Sequence, residues 1–148
     1  MKHILIATDG SPSATEAVEV GLELAREQGA EVAFLHVTLP DEYIVSRLGP
    51  GRPIMHSQPI DEEETALAAA DEAAKEAGVS YTLERFSGDV VDTIVAFANK
   101  KEVDLIVVGS RGLGPVRTAL LGSVSRGVLD DAQRPVLIVK AEKVPVAG

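Results

Sequence analysis

The chain has 148 residues, 45% of them apolar, and a formal charge of −9 at neutral pH. That length makes about one domain, and the apolar share favours a packed core over disorder. The acidic balance argues against nucleic acid as a partner, because phosphate backbones are held by basic patches. With no cysteine there is no disulfide, no thiol nucleophile and no thiolate metal site, and with no tryptophan a base-stacking surface is disfavoured.

Residues 3–7 (HILIA) read as a continuous apolar strand. The run before Thr8 and Asp9 is far short of a secretory signal core, and no later run has the length to span a bilayer, so a cytoplasmic protein without a membrane span is expected. TDGSPSATE then turns into a helix. Either Ser11 caps it with Pro12 at the first position, or Ser13 and Glu16 form a capping box. Ala14, Ala17, Val18, Gly21, Leu22 and Ala25 share one face of this helix, and Gly29 ends it. Residues 31–37 (EVAFLHV) are the second strand. Residues 38–60 are rich in proline and glycine without a period, a long irregular connection of the kind that is often functional or mobile.

Residues 61–77 form an alanine-rich helix with four acids in its first turn and Gly78 behind it. Residues 79–86 alternate with period two as the third strand, and Asp89 caps a helix whose inward face is Val91, Ile94, Val95 and Ala98. Residues 104–108 (DLIVV) are a strand buried on both faces. Residues 123–131 suit a fourth helix. PVLIVK, which opens at Pro135 and closes at Lys140, is the fifth strand. The alternation predicts a single-domain α/β fold over residues 1–148, an open five-stranded parallel sheet with helices on both faces. In such sheets ligands lie beyond the carboxyl ends of the strands where the winding reverses. Two loops carry suitable chemistry there: Thr8-Asp9-Gly10, and the stretch GSRGLGPVRTALLGSVSRG at 109–127.

That stretch fails the Walker pattern, because Pro115 and Val116 follow Gly114 where lysine and serine or threonine belong. It also fails GxGxxG, since Arg117 stands at the third glycine. What remains is Gly109-x2-Gly112-x9-Gly122-Ser123. Gly109 and Gly112 would let the backbone approach a sugar or phosphate closely. Gly122 and Ser123 open the fourth helix, where amides and the helix dipole favour an anion, with Val124 and Ser125 as the next donors. Arg111, Arg117 and Arg126 are candidate counter-charges.

GxxGx9G[ST], together with TDGS, LHV, DLIVVGSRG, LLGSVS and PVLIV in order, resembles the nucleotide-binding branch of the universal stress protein family over the whole chain. The resemblance implies a Rossmann-like, adenine nucleotide alpha hydrolase-like fold with strand order 3-2-1-4-5, a homodimer through the fifth strand, and ATP (or ADP or AMP) with Mg²⁺ or Mn²⁺ on its phosphates. It also implies that Ala7, Thr8 and Asp9 face the adenosine or the metal side, and that Val37 reads adenine through its main chain. Gly109, Arg111 and Gly112 would line the ribose and phosphates, and Gly122, Ser123, Val124 and Ser125 the phosphate tail.

Several residues carry a second reading. Asp9 is a ligand to metal or ribose, or a turn aspartate that stabilises the helix start. Ser123 contacts phosphate or merely caps its helix. His3, His36 and His56 are too scattered for a metal site, and His36 is read as a satisfied, partly buried strand residue. No residue can be assigned to orient an attacking nucleophile, so any ATP hydrolysis is expected to be slow. The alternatives are a protein of this family acting through an unknown protein partner without ATP, and one binding AMP or cAMP. A phospho-receiver domain lacks its clustered acids here, and a flavin carrier lacks its aromatic stack.

Overall fold

The computed structural model describes residues 1–38, 59–110 and 122–140. In them, strands β1 (His3–Ala7), β2 (Glu31–Thr38), β3 (Tyr81–Ser87), β4 (Leu105–Gly109) and β5 (Val136–Val139) alternate with helices. These are α1 (Pro12–Gln28), α2 (Pro59–Ala77), α3 (Val90–Lys100) and α4 (Ser123–Asp131). All strand pairs are parallel and the order is β3-β2-β1-β4-β5, as the family resemblance implied.

Alternate strand residues supply two cores, because successive side chains leave a strand on opposite faces. Ile4, Ile6, Val32, Phe34 and Val107 meet Ala17 and Leu22 of α1 and Leu67 and Ala70 of α2. Leu5, Leu35, Ile106 and Val108 meet Ile94 and Phe97 of α3 and Val128 of α4. Helices on both faces explain why the central strands read as unbroken apolar runs. Phe34, fully enclosed, contributes roughly 1.5–3 kcal/mol by its burial alone.

The capping choice at α1 falls to Ser11, whose Oγ accepts from the Ala14 amide at 3.2 Å with Pro12 behind it. Ser13 is thereby left inside the helix and buried. Gly29, at φ 65°, closes it. Asp89 caps α3 by accepting from the Asp92 amide at 2.9 Å. The second helix starts at Pro59 rather than residue 61, since proline is tolerated in a first turn. The third strand starts at Tyr81 rather than residue 79, because the Val79 amide turns back to the Ala74 carbonyl to finish α2. Asp104 lies just outside β4, its carboxylate engaged by the Lys2 and His3 amides.

Among the described residues, β3 and β5 are the outer strands. The Pro135 and Val139 carbonyls accept from the Ile106 and Ser110 amides, so the outward backbone groups of β5 belong to Val136 and Ile138. Every residue of β5 is apolar and only half-buried. The middle of β3 is Glu84 and Arg85, flanked by the exposed Leu83 and Phe86.

Candidate functional site

From β1 the chain winds outward through β2 to β3, then crosses back to β4 and on to β5. The winding reverses between β1 and β4, and the crevice expected at such a reversal opens at their carboxyl ends. One wall is the turn after β1. Ala7 is the last paired residue, against Leu35, and the Thr8 amide donates to the Leu35 carbonyl at 2.9 Å. Asp9 Oδ1 accepts from the Ser11 amide at 2.9 Å, an Asx turn that sets up the start of α1. Gly10 holds φ 80°, which a side chain would strain, and its amide reaches Thr8 Oγ1 at 3.4 Å. The turn reading of Asp9 is therefore realised.

The second wall is the exit of β4 and the entry of α4. Gly109 pairs with Val139. A Cβ there would lie 2.5 Å from Ser13 Oγ, 2.7 Å from the Ser13 carbonyl carbon and 2.8 Å from the Ala14 nitrogen. Glycine at 109 is thus required by the close approach of α1 to the sheet, a reason of packing that the sequence did not disclose. The next residue, Ser110, is a buried junction. Its amide donates to the Val139 carbonyl at 2.8 Å, its carbonyl accepts from the Gly122 amide and from Ser125 Oγ at 3.1 Å, and its Oγ lies 3.4 Å from Ser13 Oγ. One residue thus ties the starts of α1 and α4 to the ends of β4 and β5.

Gly122, not Ser123, is the N-cap of α4, with φ −70° and ψ 166°, and among the described residues no side chain bonds to the first-turn amides. Ser123 is the first helical residue and exposed, so its hydroxyl is not spent on the cap. Val124 is half-buried. Ser125 is buried, and its hydroxyl is turned inward to the Ser110 and Gly122 carbonyls, leaving its backbone as its possible contribution to a ligand. Val37 lies near the end of β2, opposite Phe86 of β3. The structure so brings the turn at 7–9 and the start of α4 to one end of the sheet, with Val37 at the same end. Arg111, Gly112, Arg117 and the rest of 111–121 lie outside the described residues, as does most of the 38–60 connection. Arg126 is exposed on α4.

Comparison with known proteins bears on this arrangement. The family model of the universal stress proteins matches residues 1–140. The chain belongs to the universal stress protein family. Universal stress protein MJ0531 of Methanocaldococcus jannaschii is similar at 34% identity, over 96% of this chain and 84% of its own length. The Bacillus subtilis universal stress protein YxiE is 36% identical, over 93% of this chain and 97% of its own. A crystal structure of a universal stress protein in complex with cAMP matches with a TM-score of 0.68 at 27% identity, covering 95% of this chain and 98% of that one.

Ser13, Ser110 and His36 also shape the crevice of this universal stress protein. Ser13, which the sequence offers as a capping-box residue, and Ser110, to which it assigns no role, are both buried. His36 was read as satisfied, and it is: its Nδ1 lies 2.8 Å from the Thr8 carbonyl oxygen. Its position beside the Thr8-Asp9 turn depends on the β1–β2 register, which a single sequence does not reveal. Among the described residues no group of three or more histidine, aspartate or glutamate side chains could hold a metal ion. No helix among them is long and apolar enough to cross a membrane.

Proposed function

We propose that this universal stress protein is a cytoplasmic, nucleotide-dependent regulatory module that holds an adenine nucleotide, ATP in the first instance, at the carboxyl ends of β1, β2 and β4. The observation that carries the reading is the start of α4. Among the described residues no side chain caps its first-turn amides, which stand at the winding reversal and follow the spacing Gly109-x2-Gly112-x9-Gly122-Ser123. A helix start of this kind attracts an anion through its dipole and its unspent N–H groups, here against an overall charge of −9. The cAMP complex of a 27% identical relative supports an adenine nucleotide as the ligand class.

In this reading Ala7, Thr8 and Asp9 face the nucleoside, Val37 the adenine edge, and Gly109, Arg111 and Gly112 the ribose and phosphates. Gly122 and Ser123 open the site for the phosphate tail, which the amides of Ser123, Val124 and Ser125 hold while the Gly122 amide stays on the Ser110 carbonyl. Mg²⁺ or Mn²⁺ enters with the phosphates, which supply most of its oxygen ligands, and Asp9 contributes at most one. Hydrolysis is slow at most, since this reading gives no residue the task of orienting water. A homodimer forms through β5, an outer strand among the described residues whose apolar side chains are only half-covered.

Mass analysis of the nucleotide released from acid-denatured, freshly purified protein tests the ligand and separates ATP, ADP, AMP and cAMP. Gly122→Trp places a large side chain at the helix start. It should abolish nucleotide retention while leaving the dimer intact. Wild-type affinity in that variant would favour a protein working through protein contacts alone.

A further inference from the structure

We propose that His36 is a positioning residue for the adenine end of the crevice: its imidazole takes the Thr8 carbonyl and so leaves the backbone amide of Val37 to a ligand. The proposal rests on the adenine-nucleotide reading above and deepens it.

The β1–β2 ladder ends in an unusual way. Its last residue pair is Ala7 with Leu35, followed by the bond from the Thr8 amide to the Leu35 carbonyl. In a parallel ladder one residue donates to the neighbour before its partner and accepts from the neighbour after it. Continued by one step, the pattern would fill the Thr8 carbonyl with the Val37 amide. In this protein His36 Nδ1 stands 2.8 Å from that carbonyl oxygen. Alternate residues of β2 serve β3, as the Val32 amide and the Thr38 carbonyl do, so the backbone groups of Val37 face the β1 side. An N–H and a C=O on one residue, pointing the same way, match the acceptor and the exocyclic amine donor that adjoin on adenine.

The chemistry of the imidazole fits this role and little else at the position. His36 is 6% exposed, in a strand whose neighbours Phe34 and Leu35 are fully apolar. Leucine would pack there without the cost of burying polar nitrogens. A carbonyl oxygen only accepts, so Nδ1 carries a proton and donates it to Thr8. The side chain therefore acts through Thr8, one residue before Asp9.

The test compares wild type, His36→Asn and His36→Leu. Asparagine places an amide donor about where Nδ1 stands; leucine keeps the volume and loses the bond. AMP and ATP are titrated into each by calorimetry. His36→Leu should weaken both nucleotides by the same factor, about five- to ten-fold, because the defect lies at the base and not at the phosphates. His36→Asn should stay within about two-fold of wild type. Equal affinity in wild type and His36→Leu, or equal losses in the two variants, overturns the proposal. Should His36→Leu unfold, the asparagine titration and two resonance measurements on wild type still decide. The Val37 amide signal should move on adding AMP, and the imidazole nitrogens of the ligand-free protein should show Nδ1 protonated; a still Val37 signal or the opposite tautomer overturns it. If wild type binds neither AMP nor ATP, the nucleotide reading falls and this proposal with it. That failure is distinguishable, because the ligand-free tautomer would then still show Nδ1 protonated.

Discussion

Gly109→Ala measures how tightly α1 is pressed onto the sheet. The added methyl would meet the Ser13 carbonyl carbon at 2.7 Å and the Ala14 nitrogen at 2.8 Å, where ordinary contact begins near 3.4 Å. Both are backbone atoms, so no rotamer change relieves them; the start of α1 must retreat by about 0.6–0.7 Å, or β4 must give way. Retreat stretches the 3.4 Å contacts of Ser13 Oγ with Ser110 Oγ and the Val139 carbonyl, and it shifts Ser11 and the Asx turn of Asp9. Overpacking of this kind costs about 1–3 kcal/mol. For a chain of this size that lowers the melting temperature by about 3–10 °C. Urea denaturation of Gly109→Ala beside Gly122→Ala makes the assay. Gly122 has ordinary extended dihedrals, so alanine there costs no backbone strain and only the N-cap preference of glycine over alanine, about 0.5–1 kcal/mol. A Gly109→Ala protein as stable as wild type within about 0.5 kcal/mol would refute the packing argument and return this glycine to a purely ligand-facing role.

Two further outcomes follow from other parts of the molecule. Ile138→Pro removes an outward N–H of β5 without touching the bonds that Pro135 and Val139 accept from β4. Sedimentation should find a folded monomer that keeps its nucleotide, and a persistent dimer would place the subunit contact elsewhere. The Lys2 amide, and then the His3 amide, hold the Asp104 carboxyl below its ordinary value. A depressed native value means the stabilisation is complete above the unfolded value near 4 and is lost as the pH falls through the native one. The stability difference between wild type and Asp104→Asn, followed by denaturation across pH, should therefore be constant above about pH 5 and close below about pH 4. A difference that persists unchanged into strong acid would contradict that assignment.

The fold was legible because its strands are apolar runs and its helices carry clean stripes. β1 and α4 fall where periodicity put them, and Gly29 and Asp89 end and begin helices as their chemistry requires. Element ends were less legible. Val79 belongs to the β-rich run in sequence, but a carbonyl at the end of α2 claims its amide. In the candidate site, local chemistry made legible the turn aspartate and the helix start at a glycine followed by serine. What escaped notice depends on register. That Gly109 faces the backbone of α1, that Ser110 gathers four chain segments, and that His36 reaches across to Thr8 are consequences of which strands lie side by side. Serine and histidine at those positions carry no local mark of their use.

The two rims of the sheet differ in what they permit. On β3, an antiparallel copy centred on Glu84 or Arg85 would set like charge against like, and β5 laid there would desolvate both. β5 carries no charge between Val136 and Val139 to forbid a twin. In the proposed pairing through β5, strand addition would happen once and stop, since among the described residues the joined sheet ends in the charged β3 at either extremity. The pairing proposed above, through β5, is thus one that closes on itself and leaves no matching edge for a fibre.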